Sequence, residues 1–358
     1  MDGKMKNMKK TTKNNLITYG IVIVAFVVVQ LLIMTGNISS LLEGLMVPLC
    51  MYVILAVSLN LVVGILGELS LGHAGFMCVG AFSSAFFSLY TEDIITVAPL
   101  RFFLALLIGI ITAAIFGILI GIPVLRLKGD YLAIVTLAFG EIIKNLVNVL
   151  YIGKDENGLH FSMKDAMSMN MDAATGKILI NGPQGITGTP NDSTFPIGIV
   201  LVLITLFIVL NLINSRDGRA IMAIRDNRIA AESVGINITK YKLMAFSISA
   251  GMAGAAGVLY AHNLSSLTAT TNNFGYNMSI SILVFVVLGG IGSIRGSMIA
   301  AVILTLLPEL LRGLSDYRML IYAIVLIIMM LFNWSPKSIE WREKHLAFLK
   351  RNKEAKES

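Results

Sequence analysis

Residues 103–123 read FLALLIGIITAAIFGILIGIP, a run without a single charged side chain. A helix needs roughly 20 predominantly apolar residues to cross the hydrocarbon core of a bilayer, so this run is long enough to span a membrane. Gly109, Ala113, Gly117 and Gly121 recur within it every four residues, which places small side chains on one helix face. Such a face predicts close packing against a neighbouring helix.

Other apolar stretches of comparable length follow one another along the chain. The run that begins at Leu16 is about twice as long as the apolar region of a secretory signal peptide, so it predicts a retained first span. We therefore predict an all-α polytopic membrane protein, a bundle of about ten transmembrane helices. Eight spans with two re-entrant segments remain an alternative, because the third, eighth and ninth stretches are Gly-rich, short or interrupted. The ten stretches are 16–35, 45–66, 69–90, 103–123, 131–151, 196–214, 243–262, 278–292, 297–314 and 319–333.

The composition excludes several other classes of protein. Of the 358 residues, 56% are hydrophobic and 14% are charged, whereas soluble domains average about 25% charged residues. So few charges cannot cover the surface of soluble domains, and they also argue against an intrinsically disordered chain. Cys50 and Cys78 lie in apolar segments, which favours small buried side chains over a disulfide framework.

The distribution of positive charge predicts the orientation in the membrane. Cytoplasmic segments of membrane proteins are enriched in Lys and Arg, and most of the 28 basic residues fall in segments that a ten-span topology places inside. We predict a basic cytoplasmic N-terminus (1–15), a transmembrane domain (16–333) and a basic cytoplasmic tail (334–358). Within the domain, 152–195 is expected to be an extracytoplasmic loop and 215–242 a cytoplasmic loop. The net charge of +7 thus reflects orientation, and no nucleic-acid partner is expected.

Motifs typical of enzymes are missing from the sequence. There is no G-x-x-x-x-G-K-[ST] motif to hold nucleotide phosphates. Residues 289–296 resemble a dinucleotide fingerprint only superficially, because Arg295 stands where the third glycine belongs. The four histidines are scattered, without the spacing of a metal site. We expect no catalytic residues, no metal and no cofactor.

Two glycine clusters, at 64–75 and 289–296, interrupt the apolar stretches. Non-helical backbone at membrane depth occurs where it is buried in protein or lines a water-filled cavity, and half-helix ends there can bind anionic groups. Tight cytoplasmic turns between antiparallel spans are the equally weighted alternative. The small residues of 243–262 also have two interpretations. They could line a transport path, or they could allow close helix packing, which is the favoured interpretation.

Ionisable side chains inside membrane spans are costly and therefore informative. Glu141 and Lys144 are spaced i, i+3, so they can pair on one helix face. His73 is more often a hydrogen-bonded packing residue than a ligand, and a proton relay would need more such groups. The candidate translocation path consists of Ser70, Gly72, His73 and Glu141.

Residues 215–242 form the most informative polar segment. Ile221, Ile224 and Ile229 predict a short amphipathic helix, and Gly235 is placed to end it as a C-terminal cap. The apolar stripe of this helix has no core of its own on the cytoplasmic side. It would suit a protein partner or the membrane interface.

This segment contains GRA at 218–220, AIRDN at 223–227 and AA-x-x-x-GI at 230–236. With these runs it resembles the coupling loop of branched-chain amino-acid ABC permeases of the LivM type. In the general EAA-x-x-x-G coupling pattern of ABC importers Ile229 replaces the glutamate, and no I-x-L-P follows. The resemblance extends over about 45–330 and includes LSLGHAGF at 69–76, LRLKGDYLAI at 125–134, TLAFGE at 136–141, GPQGITG at 182–188, VLGGIGS at 287–293 and LPE at 307–309. It implies that the residues contacting the ATPase are Arg219, Arg225, Asp226, Asn227, Ala230, Ala231 and Gly235.

The resemblance also implies a function and a set of partners. The chain would be a non-catalytic permease subunit of an ABC importer in the bacterial cell membrane, with the ABC-importer permease fold. Its partners would be a second homologous permease subunit, two cytoplasmic ATP-binding subunits and an extracytoplasmic substrate-binding protein. The expected substrates are leucine, isoleucine and valine. Urea, short amides or other amino acids are alternatives, and an ion-coupled secondary transporter is less favoured.

Overall fold

A computed structural model describes residues 2–36, 39–127, 129–156, 158–171, 176–311 and 317–334. The described chain is mostly helical, as expected for a polytopic membrane protein. Its α-helices are α1 (Asp2–Met34), α2 (Ser40–Asn60), α3 (His73–Tyr90), α4 (Ala98–Val124), α5 (Asp130–Asn148), α6 (Phe195–Asn214), α7 (Arg216–Asp226), α8 (Arg228–Ser233), α9 (Ile238–Ala261), α10 (Thr271–Phe274), α11 (Tyr276–Gly289), α12 (Ile294–Leu310) and α13 (Arg318–Trp334). The strands are β1 (Tyr151–Asp155), β2 (Gly158–Ser162), β3 (Lys177–Asn181), β4 (Ile186–Thr187) and β5 (Ser266–Leu267).

Each of the ten apolar stretches coincides with one of the long helices. The second stretch is completed by a π-helical segment, Leu61–Leu66, that continues α2 without a break. Among the described residues, six helices are long and apolar enough to cross a membrane by length and composition, so the count of ten spans stays a prediction. They lie in Asn15–Met34, Leu42–Leu66, Ala98–Val124, Phe195–Asn214, Ile238–Ala261 and Thr271–Gly289.

Helices α3, α4 and α9 form the centre of the bundle, and glycines let them approach closely. A Cβ added at Gly80 would lie 2.5 Å from the Cα of Gly254, and one added at Gly257 would lie 2.1 Å from the carbonyl oxygen of Met77. On α4, a Cβ added at Gly109 would lie 2.3 Å from Cγ2 of Val258. The predicted close packing of the small-residue faces is confirmed.

One end of the bundle carries a small antiparallel sheet of order β2-β1-β3 within the 152–195 segment. Lys177 pairs with Glu92 at 2.9 Å, and Lys154 lies 3.8 Å from Asp93, so the sheet is tied to the end of α3. The same end holds β4 and β5, which join this segment to the chain after α9. The prediction of an all-α protein is therefore wrong in this loop, where the chain forms strands.

The opposite end of the bundle carries α7 and α8 together with the turns after the π-helical segment and after α11. Arg295 Nε donates a hydrogen bond to Thr18 Oγ1 at 2.6 Å, which places the start of α12 beside α1 at this end. Because the sheet and the α7–α8 pair lie at opposite ends, the two functional loops expected from the sequence are separated by the length of the bundle.

Candidate functional site

The coupling segment (residues 215–242) folds through a series of side-chain caps. Ser215 Oγ accepts a hydrogen bond from the Gly218 amide at 3.0 Å and begins α7. Asn227 Oδ1 accepts from the Ala230 amide at 3.1 Å and begins α8, so the chain bends between the two helices. Gly235 has a φ of +84° directly after α8, the left-handed conformation that favours glycine at a helix C-terminus. The predicted C-terminal cap at Gly235 is confirmed. The segment contains two helices where one was predicted, however, and Gly235 follows the second of them, α8.

The apolar stripe of the coupling segment is mostly covered by the chain itself. Ile221 and Ile224 are buried, and Ala231 joins Ile224 in a small core. The expectation of a free stripe is therefore wrong for these residues, because α7 packs against the end of the bundle. Ile229 and Val234 remain on the surface, 81% and 74% exposed. These two side chains form the exposed apolar surface of α8 and its C-terminal cap.

The predicted docking residues of the coupling segment differ in their contacts. Arg225 turns towards the bundle, because its Nη1 donates a hydrogen bond to the carbonyl oxygen of Gly64 at 3.0 Å. The same guanidinium also contacts the neighbouring carboxylate, because Arg225 Nη2 donates a hydrogen bond to Asp226 Oδ1 at 2.9 Å. Arg219 is exposed, and its Nη1 donates at 3.2 Å to the carbonyl oxygen of Asn214. Arg225 is thus an anchor of the segment, whereas Arg219 lies on its free surface.

A second anchor joins the base of α9 to the loop after the π-helical segment. Lys242 Nζ donates to Glu68 Oε1, and the two side chains are 4% and 16% exposed. Beside them, Gly67 has a φ of +79°, and an added Cβ would meet Arg225 Cγ at 2.5 Å. The end of the π-helical segment is therefore held from two directions by charged groups of the coupling segment.

The two glycine clusters predicted from the sequence meet at this end of the bundle. A Cβ added at Gly64 would lie 2.3 Å from the amide nitrogen of Gly292. Asn60 connects the two clusters, because its Oδ1 accepts from the Gly292 amide at 2.8 Å and its Nδ2 donates to Ser297 Oγ at 2.6 Å. The cluster at 289–296 forms the turn between α11 and α12. A chain of contacts thus leads from the coupling segment through the π-helical segment to α12.

Three of the four predicted path residues are packed inside the chain. His73 is buried, with its Nε2 at 2.7 Å from Ser58 Oγ. A Cβ on Gly72 would lie 2.2 Å from the carbonyl oxygen of Thr136, so this glycine permits close approach to α5. Ser70 is also buried, and its hydroxyl has no hydrogen-bond partner within the described structure. These positions lie between helices, not on an outer face.

Glu141 is placed differently from the other three. Its Oε1 accepts a hydrogen bond from the Tyr276 amide at 2.8 Å and so caps the N-terminus of α11. Its Oε2 accepts from Lys144 Nζ at 2.5 Å, which confirms the predicted pairing of these side chains. Lys144 also donates to Thr271 Oγ1 at 3.2 Å. The pair therefore connects α5 to α10 and α11 at the sheet end of the bundle.

Sequence reasoning missed the roles of Asn60 and Lys242. Each is a polar side chain at the edge of an apolar helix, which is a signal for a buried interaction, but its partner is far away in the sequence. Among the described residues, no group of three or more His, Cys, Asp or Glu side chains lies together in a way that could hold a metal ion.

The described chain is mostly helical, and six of its helices are long and apolar enough to cross a membrane, which is the architecture of a polytopic membrane protein. The sequence family described as the permease component of branched-chain amino acid transport systems matches residues 41–332, and the chain belongs to this family.

Individual relatives agree with this assignment. The high-affinity branched-chain amino acid transport system permease protein LivM of Salmonella typhimurium is 36% identical over 296 residues, which cover 80% of this chain and 67% of that protein. LivM of Escherichia coli K12 shows the same identity and coverage. The nucleoside ABC transporter permease protein NupC of Lactococcus lactis is 22% identical over 287 residues, covering 74% of this chain and 84% of that protein. No solved structure matches the chain.

Proposed function

We propose that the chain is one of two related membrane subunits of an ATP-driven importer for leucine, isoleucine and valine. Membership of the permease family supports a role in transport, and the two LivM relatives support branched-chain amino acids as the substrates. An extracytoplasmic binding protein delivers the amino acid to the sheet end of the bundle. Two ATP-binding subunits, which supply the energy, bind at the opposite end.

The coupling segment carries this proposal. It combines a free surface, with Ile229 and Val234 exposed on α8, and firm attachment to the bundle through Arg225 and Lys242. An energy-supplying partner needs both properties, because it must bind at the surface and its movement must reach the membrane helices. Of the seven residues expected from the sequence to contact the ATPases, five exposed ones are proposed to do so: Arg219, Asp226, Asn227, Ala230 and Gly235. Arg225 and Ala231 instead hold the segment in place.

The proposed arrangement in the membrane follows from the same assignment. The coupling segment faces the cytoplasm, the sheet faces outwards, and ten spans bring both termini to the cytoplasmic side of a bacterial cell membrane. Within the candidate path, Glu141 contacts the substrate route. Ser70, Gly72 and His73 support the route from the interior of the bundle, because all three pack between helices.

A different transported solute is the second candidate. NupC, whose name gives nucleosides, covers most of this chain at low identity, so the same architecture accompanies other solutes. Urea, short amides or other amino acids fit the present observations as substrates of the same kind of importer. An ion-coupled transporter is less favoured, because few ionisable groups line the spans.

Reconstitution tests the proposal. The chain is incorporated into liposomes with the proposed second permease, ATP-binding subunits and binding protein, and uptake of radiolabelled L-leucine is measured. Uptake should require ATP on the side of the membrane where the coupling segment lies. Leucine uptake that persists without the ATP-binding subunits and follows an ion gradient would overturn the proposal, and uptake of nucleosides or urea in place of leucine would favour the second candidate.

A matched pair of variants examines the docking surface. The double substitution Ile229→Asp and Val234→Asp places charge on the exposed surface of α8 and should prevent association with the ATP-binding subunits. Met167→Asp is the control, because this apolar side chain is 92% exposed at the opposite end of the bundle. Pull-down of the ATP-binding subunits should fail for the first variant and succeed for the second.

A further inference from the structure

An apolar groove runs along the outside of the bundle between α4 and α6, with α9 as its floor. This α4–α6 groove has a volume of about 340 Å³ and an almost entirely apolar lining. Residues that line it include Ile118 of α4, Ile208 of α6 and Ser247, Gly251 and Ala255 of α9. The three helices cross the membrane in the proposed arrangement, so either lipid or a neighbouring subunit must fill the groove.

The size of the groove favours a hydrocarbon chain over a helix as its occupant. Its floor from Ser247 to Ala255 is about 12 Å long, at about 1.5 Å per residue. A helix with side chains is about 10 Å across, so a section of that length occupies roughly 900 Å³, more than twice the volume of the groove. The hydroxyl of Ser247 is satisfied within α9, because its Oγ donates to the Met244 carbonyl oxygen at 3.1 Å. The groove therefore requires no polar group from the part of a ligand that fills it.

The position of the groove matches the depth of an acyl chain in one leaflet. Lys240 is exposed near the start of α9. The spacing of Lys240, Met244, Ser247 and Gly251 places them on one face of this helix. Gly251 lies about 16 Å from Lys240 along the helix axis, which is close to half of a hydrocarbon core about 30 Å thick. A lipid whose headgroup lies at Lys240 would therefore place its chain in the groove.

The end of α4 and the start of α9 lie side by side beyond the groove. An added Cβ at Gly117 of α4 would lie 2.6 Å from Ala250 Cβ of α9, and one at Gly121 would lie 2.6 Å from Leu243 Cδ1. The two helices are therefore antiparallel. Continued for one more turn, this register brings Arg126, which follows the end of α4, to the level of the first turn of α9.

Basic side chains outnumber acidic ones at this end of the groove. The stretches concerned are 124–127, where α4 ends, 214–217, where α6 is followed by α7, and 237–240, where α9 begins. Their charged side chains are all exposed, and they are Arg126, Arg216, Asp217 and Lys240. Lys and Arg at a cytoplasmic membrane surface attract anionic lipids, and basic pockets between membrane helices bind anionic headgroups. Three bases against one acid therefore favour a lipid with a net negative charge.

We propose that the α4–α6 groove binds one acyl chain of an anionic phospholipid, whose phosphate lies beside Arg126 and Lys240. This inference goes beyond transport itself, and only the assignment of the lipid to the cytoplasmic leaflet rests on the proposed orientation. Helix α6 is followed almost directly by α7. A chain that fills the space between α4 and α6 therefore supports the helix from which the coupling segment starts.

Fluorescence quenching by brominated lipids tests the site on the purified full chain in bilayers. Both native tryptophans are replaced (Trp334→Phe and Trp341→Phe), and a single tryptophan is introduced as Ile208→Trp, in the groove, or as Phe207→Trp. Phe207 is the matched control, because this neighbouring side chain is 60% exposed but does not line the groove. Brominated phosphatidylglycerol should quench Ile208→Trp at a several-fold lower mole fraction than brominated phosphatidylcholine with the same chains. Phe207→Trp should not distinguish between the two lipids.

Substitution of the bases beside the groove provides the second readout. In the Ile208→Trp background, Arg126→Gln together with Lys240→Gln should remove the preference for phosphatidylglycerol, whereas Lys240→Arg should preserve it. Lys177→Gln removes an exposed base at the opposite end of the bundle and should leave the preference unchanged. Free sn-glycerol 3-phosphate, which has the phosphate without the chains, should not compete. Equal quenching of Ile208→Trp by the two lipids, competition by the free phosphate, or a preference that survives loss of both bases would overturn the proposal.

The assembled importer decides between lipid and a neighbouring subunit as the occupant. Phosphatidylglycerol with a photoreactive diazirine in its acyl chain is reconstituted with the proposed complex, and cross-linked peptides are identified by mass spectrometry. We expect cross-links to residues around Ile208 and Gly251. If a helix of the second permease subunit covers the groove, these cross-links will be missing and the proposal is overturned. Failure of L-leucine uptake would overturn the proposed function alone, because the quenching measurements do not depend on transport.

Discussion

Single glycines decide how closely the central helices pack. Gly257 and Gly251 both lie in α9, six residues apart, but their surroundings differ. A Cβ at Gly257 would lie 2.1 Å from a backbone oxygen of α3, whereas a Cβ at Gly251 would lie 3.5 Å from the Ala114 side chain, an ordinary van der Waals contact. Gly257 is therefore required, because a side chain there would collide with the backbone of α3. Gly251 is not required, because its surroundings leave room for a methyl group.

A pair of alanine substitutions checks this difference. Gly257→Ala should destabilise the chain by about 1–3 kcal/mol, because α3 and α9 must separate to accept the methyl group. Gly251→Ala should be neutral or slightly stabilising, since alanine favours a helix over glycine by about 1 kcal/mol. Thermal unfolding in detergent can be followed by the reaction of a thiol dye with Cys50 and Cys78, which are buried until the chain unfolds. Equal unfolding midpoints for the two variants would contradict the packing argument.

At the scale of elements, the π-helical segment is where contacts from several parts of the chain meet. Within this segment, the carbonyl oxygen of Gly64 accepts a hydrogen bond from Arg225 of α7. Asn60, which directly precedes the segment, accepts one from the amide of Gly292 in the turn before α12. A π-helix places an additional residue in each turn and is often found at functional sites. Movement of the coupling segment therefore has a direct mechanical route to α2 and α12.

Substitution of the two arginines separates anchoring from docking. Arg225→Ala removes a charged hydrogen bond to a partly buried carbonyl, so we expect a loss of about 1.5–3 kcal/mol in the stability of the chain. Arg219→Ala should change stability by less than about 0.5 kcal/mol, because this side chain is exposed. Arg219→Ala should instead weaken association with the ATP-binding subunits. Thermal unfolding of the isolated chain and pull-down of those subunits measure the two effects, and an equal loss of stability in both variants would argue against the anchor.

Much of this element structure could be predicted from the sequence, and the remainder depends on contacts between distant residues. Apolar runs predicted the long helices, because length and hydrophobicity are local properties. The strands were missed, because β1 to β3 are only five residues long and pair across a loop of mixed composition. The π-helical segment was missed for a different reason, since it packs against Gly292 and Arg225, which lie more than 150 residues away.

The candidate site was predictable to a similar extent. The spacing of Glu141 and Lys144 predicted their ion pair, because the partners lie on one turn of one helix. The capping of α11 by Glu141 could not be predicted, since it depends on where α11 begins relative to α5. Placement of His73 and Ser70 inside the bundle likewise depends on neighbours from other helices.

At the scale of the whole molecule, the ten-span arrangement predicts which loops share a side of the membrane. The connection between α3 and α4, the sheet, and the connection between α12 and α13 belong to one side. The coupling segment and the turn between α11 and α12 belong to the other. If only the six helices that are both long and apolar enough crossed, the loop before α13 would remain on the side of the coupling segment.

Labelling of single cysteines distinguishes these topologies. Each exposed position is replaced by cysteine in the Cys50→Ala and Cys78→Ala background, and a membrane-impermeant maleimide is applied to spheroplasts before and after permeabilisation. Ile94→Cys, Met167→Cys and Tyr317→Cys should react from outside, because each side chain is exposed at the outer end of the bundle. Ile229→Cys and Ile291→Cys, exposed at the inner end, should react only after permeabilisation. Tyr317→Cys is the decisive position, since protection from the external reagent would mean that α12 and α13 do not both cross the membrane.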